Sequence, residues 1–352
     1  MRAIHQFHPT LAPADAVSQH VFTLRALFRS WGHASDAYAV EAKPGTEGVL
    51  QYRRLFRTVS RDDLLLLHYS IGHEVFNELA KLEARRVLIY HNVTPPEFFA
   101  GVNPHAALYA ERGVRGLAEL APRIDLAIGV SEFNRAELEH AGYAKTAAMP
   151  VLIDWKAYDA APDASVLSAW NGAGPKLLFV GRVSPNKRQD DLVRLLAYYR
   201  RCIDRGAQLI LVGSYRDQPQ YIARLEALVA SLELQDAVTF TGSVSFAALL
   251  AYYRAASCFV SLSEHEGFGV PLLESMRFRL PVVAYDAGAV GETLDGGGVL
   301  LKERDLAAAA EATGLVLERR SLRDALVAAG ERRVAEFSYE RVAARTREVL
   351  GL

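Results

Sequence analysis

The sequence predicts an α/β chain built on two doubly wound parallel sheets. Three observations predict it: short apolar runs alternate with amphipathic stretches from end to end, the alternation breaks once near the middle, and three runs of the second half end in glycine. Runs that are apolar on both faces suit parallel strands covered by helices. Alternation of this kind implies right-handed crossovers within each sheet.

Taken in order, the first-half strand candidates are "RAIHQF", "DLLLLHY", "RVLIYH", "DLAIGV" and "AAMPVLI". Val17, Val21, Leu24, Phe28 and Trp31 recur at helical spacing, and Gly32 follows as a stop. A second helix is expected over 73–85, and Ser131 is a candidate N-cap for 132–141. Residues 154–176 have no clear period and are rich in Ala, Asp, Gly and Pro, which reads as linker. Alternation restarts with "KLLFVG", "AQLILVG", "AVTFTG", "CFVSLS", "PVVAYD" and "GGVLL". Helices are expected near 190–204, 219–232, 246–256, 271–278 and 305–317, and two long helical patterns, 321–336 and 339–350, close the chain. The predicted domains are 1–155, a linker 156–175, a second domain 176–335, and a terminal helix 336–352 crossing back to the first.

Composition bounds the function. A chain of 352 residues suits two domains of ordinary size, and 51% hydrophobic with 23% charged residues is a soluble globular balance. The formal net charge of −1 argues against nucleic acid as a partner. Cys202 and Cys258 have neither metal nor disulfide spacing, which suits a reducing cytoplasm. The start "MRAIHQFHPT" has no apolar h-region, and no stretch approaches the roughly 18 apolar residues of a membrane span, so a cytosolic protein is expected. The cluster Arg53, Arg54, Arg57 and Arg61 is either a solvated face or a contact for an anionic membrane surface or a phosphate.

Ligands of doubly wound sheets bind at the carboxyl ends of the strands. There the second half places Gly181, Gly213 and Gly242, each letting the backbone turn sharply or a ligand approach the main chain. "RVSPNKRQDDL" follows the first of these, with Arg182 and Lys187 in a loop that starts a helix. Two cations there suit a diphosphate; a solvated basic loop, with Asp190 capping the helix, is the alternative. In "SLSEHEGFGVPLLESM", Glu266 lies in a loop and Glu274 about one turn inside the next helix, eight residues on. Pro271 suits a first helical turn, which leaves Gly269 and Val270 to present free backbone N–H groups to an anion. Carboxylates accept hydrogen bonds from sugar hydroxyls, so the set suits a ribose, a diphosphate and a hexose. Paired glutamates at this spacing are common by chance; the whole string carries the inference.

"FVGRVSPNKRQDDL", "TGSVSFAALLAYYRAASCFVSLSEHEGFGVPLLESM" and "PVVAYDAGAVGETL" resemble the donor-domain signatures of the retaining glycosyltransferases of family 4. "LLHYSIGHE", "RVLIYHNVTPPEFF" and "VSEFNRAEL" extend the resemblance to the first half. It implies the GT-B fold, two Rossmann-like domains facing across a cleft. It implies that Glu274 holds ribose hydroxyls, Glu266 contacts the transferred sugar, and Arg182 and Lys187 hold the diphosphate. Gly181, Gly213, Gly242, Ser243, Val244, Gly267, Phe268, Gly269 and Val270 complete the implied donor contacts. His91 is implied beside the sugar, with Asp15 and Asn92 on the acceptor side; a strand-end histidine of purely structural use is the alternative for His91. Ala14, Asp15 and Ala16 stand where the family carries glycine, Gly291 where proline is usual, and Arg279 where glycine is usual.

The expected reaction is transfer of a hexose from a UDP- or GDP-linked donor to a saccharide or lipid-linked acceptor, with the acceptor in first-domain loops and domain closure excluding water. No Asp-x-Asp motif and no His/Cys cluster with metal spacing occurs, so neither a metal nor a cofactor is expected. A front-face displacement is preferred over a covalent intermediate on Glu266. The family analogy places the work at the cytoplasmic face of a membrane. The alternatives are a nucleotide-sugar 2-epimerase, a non-catalytic nucleotide-sugar-binding protein and, more remotely, a dinucleotide-dependent oxidoreductase, for which no G-x-G-x-x-G follows the first strand.

Overall fold

Two parallel sheets organise the chain. The computed structural model describes residues 2–13 and 15–352. It divides into two units, one of residues 1–97, 104–154 and 337–352, the other of residues 98–103 and 155–336.

The first unit contains β1 (Ile4–Phe7), β2 (Thr10–Leu11), β3 (Ser35–Ala39), β4 (Glu41–Ala42), β5 (Val49–Gln51), β6 (Leu64–Tyr69), β7 (Arg85–Tyr90), β8 (Leu126–Gly129) and β9 (Thr146–Ala148). Its main sheet runs β5-β3-β1-β6-β7-β8-β9, with β2 and β4 as a separate pair. β6 is buried along its whole length, as a central strand covered on both faces must be. Phe7 packs edge-on against Phe76, with ring centroids 5.4 Å apart. Asp15 caps the helix Ala16–Ser30 by accepting from the Ser18 N–H, and Ser131 caps Glu132–His140 by accepting from Asn134.

The second unit contains β10 (Lys176–Val180), β11 (Gln208–Val212), β12 (Val238–Gly242), β13 (Cys258–Ser261), β14 (Val282–Tyr285) and β15 (Val299–Leu301). They order as β12-β11-β10-β13-β14-β15. Strand order therefore reverses between β10 and β13, the place where doubly wound sheets open a crevice for ligands.

The sequence expectations need five corrections. β3 and β5 were not expected; both are short, and β5 is an edge strand with one exposed and two half-exposed residues. The helix Pro104–Leu120 was not expected either, because Gly113 and Gly116 interrupt its propensity. The helix expected over 73–85 is only Val75–Leu79, since the chain must extend by Arg85 to pair with Leu64. β9 ends before Pro150, which has no N–H for the ladder. The expected linker carries a 3-10 turn, Trp155–Asp159, and a helix, Ala164–Ala169, capped by Asp163.

Candidate functional site

The loops that leave β10 and β13 are tied together by three contacts. The Glu264 N–H donates to the Asn186 carbonyl at 2.8 Å. The Asn186 side-chain amide donates to the His265 carbonyl at 3.3 Å. Lys187 Nζ donates to Glu266 Oε2 at 2.6 Å, with the two side chains 21% and 15% exposed. Lys187 ends the 3-10 turn Pro185–Lys187, and Arg188 follows in the left-handed region, φ 52°, as N-cap of the helix Gln189–Cys202. Arg188, not Asp190, therefore occupies the cap; Asp190 lies in the first turn. Arg182 is exposed, and its carbonyl accepts from the Gln189 amide.

A third loop, after β14, closes on the same segment. The Ala289 N–H donates to the Glu266 carbonyl at 2.9 Å. A Cβ on Gly288 would stand 2.3 Å from that carbonyl oxygen, so only glycine lets the chain come so near. Thr293 Oγ1 donates to the Phe268 carbonyl at 2.5 Å. Gly269, at φ 86°, is the N-cap of the helix Val270–Arg277, which has Pro271 in its first turn. Gly267 and Val270 are half-buried beside it.

Glu274 lies inside that helix and is 6% exposed. Its Oε1 accepts from the Tyr158 hydroxyl and its Oε2 from the Tyr253 hydroxyl. Burial pushes its carboxyl up, and the two tyrosine hydrogen bonds pull it back down. The Tyr253 ring stacks on Phe278 with centroids 5.2 Å apart and planes 4° from parallel.

The glycines at the strand ends face one another. A Cβ on Gly213, at φ 151°, would stand 2.1 Å from the Gly181 carbonyl oxygen. Gly213 N–H donates to the Gly242 carbonyl at 3.1 Å. Gly242, at φ 69°, sits against the Tyr215 ring. At Gly213 the small residue is thus required by the neighbouring strand end itself. Ser243 is exposed and Val244 half-buried, just ahead of the helix Phe246–Ala255.

In the first unit, Asp15 accepts from both the N–H and the hydroxyl of Ser18. Asn92, at φ 81°, donates to Asn134 Oδ1 at 2.9 Å and to Glu137 Oε2 at 2.7 Å. His91 Nε2 lies 2.9 Å from His68 Nδ1, and the two rings stack with centroids 5.2 Å apart. Burial holds both imidazoles well below their ordinary value; His20 and His8 lower His68 further, and His68, His20 and His8 lower His91. Ala14 lies outside the described residues.

Residues 165–333 match the family model of glycosyl transferases group 1. The chain carries a glycosyl transferases group 1 domain. A D-inositol 3-phosphate glycosyltransferase of Kineococcus radiotolerans is 30% identical over 256 residues, which is 67% of this chain and 58% of that protein. A GDP-mannose-dependent alpha-(1-6)-phosphatidylinositol monomannoside mannosyltransferase of Mycobacterium tuberculosis is 31% identical over 189 residues, 51% of this chain and 48% of that protein. The chain thus spans about half the length of the curated relatives it matches. Among solved structures, Anabaena HepE in complex with UDP-glucose is 20% identical, with TM-score 0.80 over 100% of both chains. Sucrose-phosphate synthase of Thermosynechococcus elongatus is 21% identical, with TM-score 0.79 over 99% of this chain and 98% of that one. The fold is the α/β GT-B type, with one Rossmann-like sheet in each unit.

Within the second unit, the structure joins Lys187 to Glu266 and gives Glu274 two tyrosine partners. Among the described residues, neither Arg182 nor Glu274 makes a hydrogen bond or ion pair with Lys187 or Glu266. No sequence signal marks Tyr158 or Tyr253: Tyr158 lies in the segment that reads as linker, and Tyr253 in the helix expected near 246–256. Gly288 had a signal in "YDAGAVGETL" but no role until Glu266 stood against it. Outside the group 1 domain, His20, His68 and His91 come together: one ligand atom from each lies within 4.8 Å of the others. They are 48 and 23 residues apart in sequence, so no motif spacing announces the trio.

Proposed function

We propose that the chain is a retaining glycosyltransferase. It moves a hexose from a UDP- or GDP-linked donor to a hydroxyl of a saccharide or lipid-linked acceptor, with no metal ion at the diphosphate. The observation that carries this reading is the Lys187–Glu266 pair, which joins the loops after β10 and β13 where strand order reverses. The names of the curated relatives, inositol phosphate and phosphatidylinositol mannoside glycosyltransferases, support the reaction class and a hydroxyl acceptor on a lipid. GDP-mannose stands in one relative's name and UDP-glucose in one fold neighbour's title, so both nucleotides enter the test.

In this reading Lys187 and the exposed Arg182 neutralise the diphosphate, helped by main chain at Phe268, Gly269 and Val270. Cations aimed at charge that grows on the leaving group lower the barrier directly. Glu266, held at its carbonyl by Ala289 and at its carboxylate by Lys187, accepts from hydroxyls of the transferred sugar. The bond from the anomeric carbon to the phosphate oxygen breaks while the acceptor oxygen bonds the same face. The acceptor's proton passes to the departing phosphate. A carboxylate already paired with a lysine is a weakened nucleophile, which favours this front-face route over a covalent sugar on Glu266. Glu274 holds the ribose, exchanging the half-buried Tyr158 hydroxyl for a ribose hydroxyl. His91 serves the sugar, and Asp15 and Asn92 serve the acceptor through the loops they shape.

The working place is the cytoplasmic face of a membrane. Arg53, Arg54 and Arg57 support this: they are exposed on consecutive short helices that also present Phe56, 46% exposed. Among the described residues no helix is long and apolar enough to cross a membrane. The test is thermal melting with UDP, GDP and their sugars at millimolar levels, followed by nuclear magnetic resonance of the anomeric proton of any product. A rise in melting temperature with one nucleotide series and a product of retained configuration are expected, because a ligand bound to the folded state stabilises it by mass action. No shift with either series, or an inverted product, overturns the reading.

A further inference from the structure

We propose that the first unit contains a site for one divalent transition-metal ion, zinc being the best fit, ligated by His20, His68 and His91. The site is not a device for the donor diphosphate, although an ion held there would engage His91, the residue assigned above to the sugar.

Two observations carry it. The first is convergence: each of the three rings offers one nitrogen, and these atoms all lie within 4.8 Å of one another. The second is His20 itself. It projects from the helix Ala16–Ser30, is 1% exposed, and neither of its ring nitrogens has a hydrogen-bond partner. A buried imidazole without any partner is rare in a folded chain, and here it sits edge-on to both other rings, at centroid distances of 5.8 Å from His68 and 5.3 Å from His91.

The protons can be placed. Gln6 Nε2 donates to the Val21 carbonyl at 3.1 Å, which turns Gln6 Oε1 toward His68 Nε2 at 3.0 Å. His68 therefore carries its proton on Nε2 and presents a lone pair at Nδ1. His91 Nε2, 2.9 Å away, carries the proton between them. When the ion binds, that proton moves to His91 Nδ1, and both facing nitrogens become ligands with no proton released. A ligating histidine almost always donates its far ring N–H to an oxygen acceptor, and Gln6 Oε1 fills that place for His68. Zinc–nitrogen bonds of about 2.0–2.1 Å in a tetrahedron put the ligand atoms roughly 3.3 Å apart. The His68–His91 separation is already close to that, so the main adjustment is a turn of the His20 ring. Three neutral imidazoles with no carboxylate among them select zinc, copper, nickel or cobalt over magnesium or calcium. His91 is only half-buried, which leaves an entry path and an open fourth position.

The experiment uses the whole chain, stripped with a chelator and dialysed. It is titrated with zinc chloride by calorimetry and with cobalt chloride by visible absorption. One equivalent of zinc is expected, with the intense absorption of four-coordinate cobalt. His20→Leu and His68→Leu should abolish both signals, and Gln6→Leu should weaken binding roughly 10- to 100-fold. The exposed His140 changed to Ala should alter nothing. Should the core variants fail to fold, the cobalt spectrum of the unaltered chain and the His140→Ala control still decide. A weak six-coordinate spectrum, no saturable binding, or binding that survives His20→Leu overturns the proposal. None of these readouts depends on turnover, so the site can fail while the transferase reading stands, and the reverse.

Discussion

Tyr253→Phe removes one hydroxyl from the buried end of the group 1 domain and leaves the ring stacked on Phe278. The hydroxyl donates to Glu274 Oε2 at 2.5 Å. When Glu274 is ionised, the lost bond is one to a charged acceptor, about 1.5–3 kcal/mol; when Glu274 is protonated, the loss is that of a neutral bond, about 0.5–1.5 kcal/mol. Burial raises the Glu274 carboxyl above its ordinary 4.5, and the tyrosine bonds oppose that rise. The folded state thus holds its proton to higher pH than the unfolded state does. Stability from this group is full below 4.5 and declines as pH rises through the folded value. Without the Tyr253 hydroxyl the folded value rises further, so the variant goes on losing stability where the parent has levelled off. The damage should therefore be larger at pH 8 than at pH 4.5. For a unit of this size about 2 kcal/mol corresponds to roughly 4–8 °C in the melting of the second unit. Calorimetric melting of parent and variant at both pH values measures it. An equal loss at the two pH values would show that Glu274 is not the ionised partner of Tyr253, and no loss would show that the hydroxyl is not bonded there.

Lys187→Met should leave the fold intact, strip the Glu266 carboxylate of its cation and, under the proposed function, strip the donor diphosphate of one as well. Donor turnover should fall by at least about 100-fold, the scale of one preorganised charge-stabilising group, and unchanged kcat in a coupled nucleoside-diphosphate assay would remove Lys187 from the mechanism. Gly213→Ala places a Cβ 2.1 Å from the Gly181 carbonyl oxygen at a φ of 151°. It should cost more than about 2 kcal/mol by forcing apart the ends of β10 and β11, which urea unfolding of the second unit reads directly; a cost below about 0.5 kcal/mol would contradict the packing.

The central strands could be read from the sequence because they are buried on both faces and so lose all polar punctuation: Leu64–Tyr69 and Lys176–Val180 are apolar almost throughout. Ser35–Ala39, "SDAYA", has no such run and pairs near the sheet edge, so its strand character comes from its neighbours β1 and β5. Pro104–Leu120 carries two glycines that count against a helix locally, yet a Cβ at Gly113 would stand 2.9 Å from Val93. Close packing, invisible in one dimension, explains why glycine is there. The site divides in the same way. Lys187 and Glu266 could each be placed in a loop after a strand, but 79 residues separate them, and only the adjacency of β10 and β13 makes them partners. Glu274 reads from the sequence as an acid about one turn inside a helix; its tyrosine partners come from the 3-10 turn Trp155–Asp159 and from the helix Phe246–Ala255. No local pattern announces such a convergence. The histidine trio draws on one helix and the ends of two strands, and no motif spacing spans it.

Because the Glu266 carbonyl is gripped by the segment after β14 while its carboxylate is gripped by the segment after β10, donor preference under the proposed function would not be a modular trait. A chimera that transplants the stretch around Glu266 from a relative, leaving 182–188 and 286–291 behind, would inherit mismatched anchors on both sides. Exchange of nucleotide-sugar preference between such proteins should therefore require moving all three segments as a set.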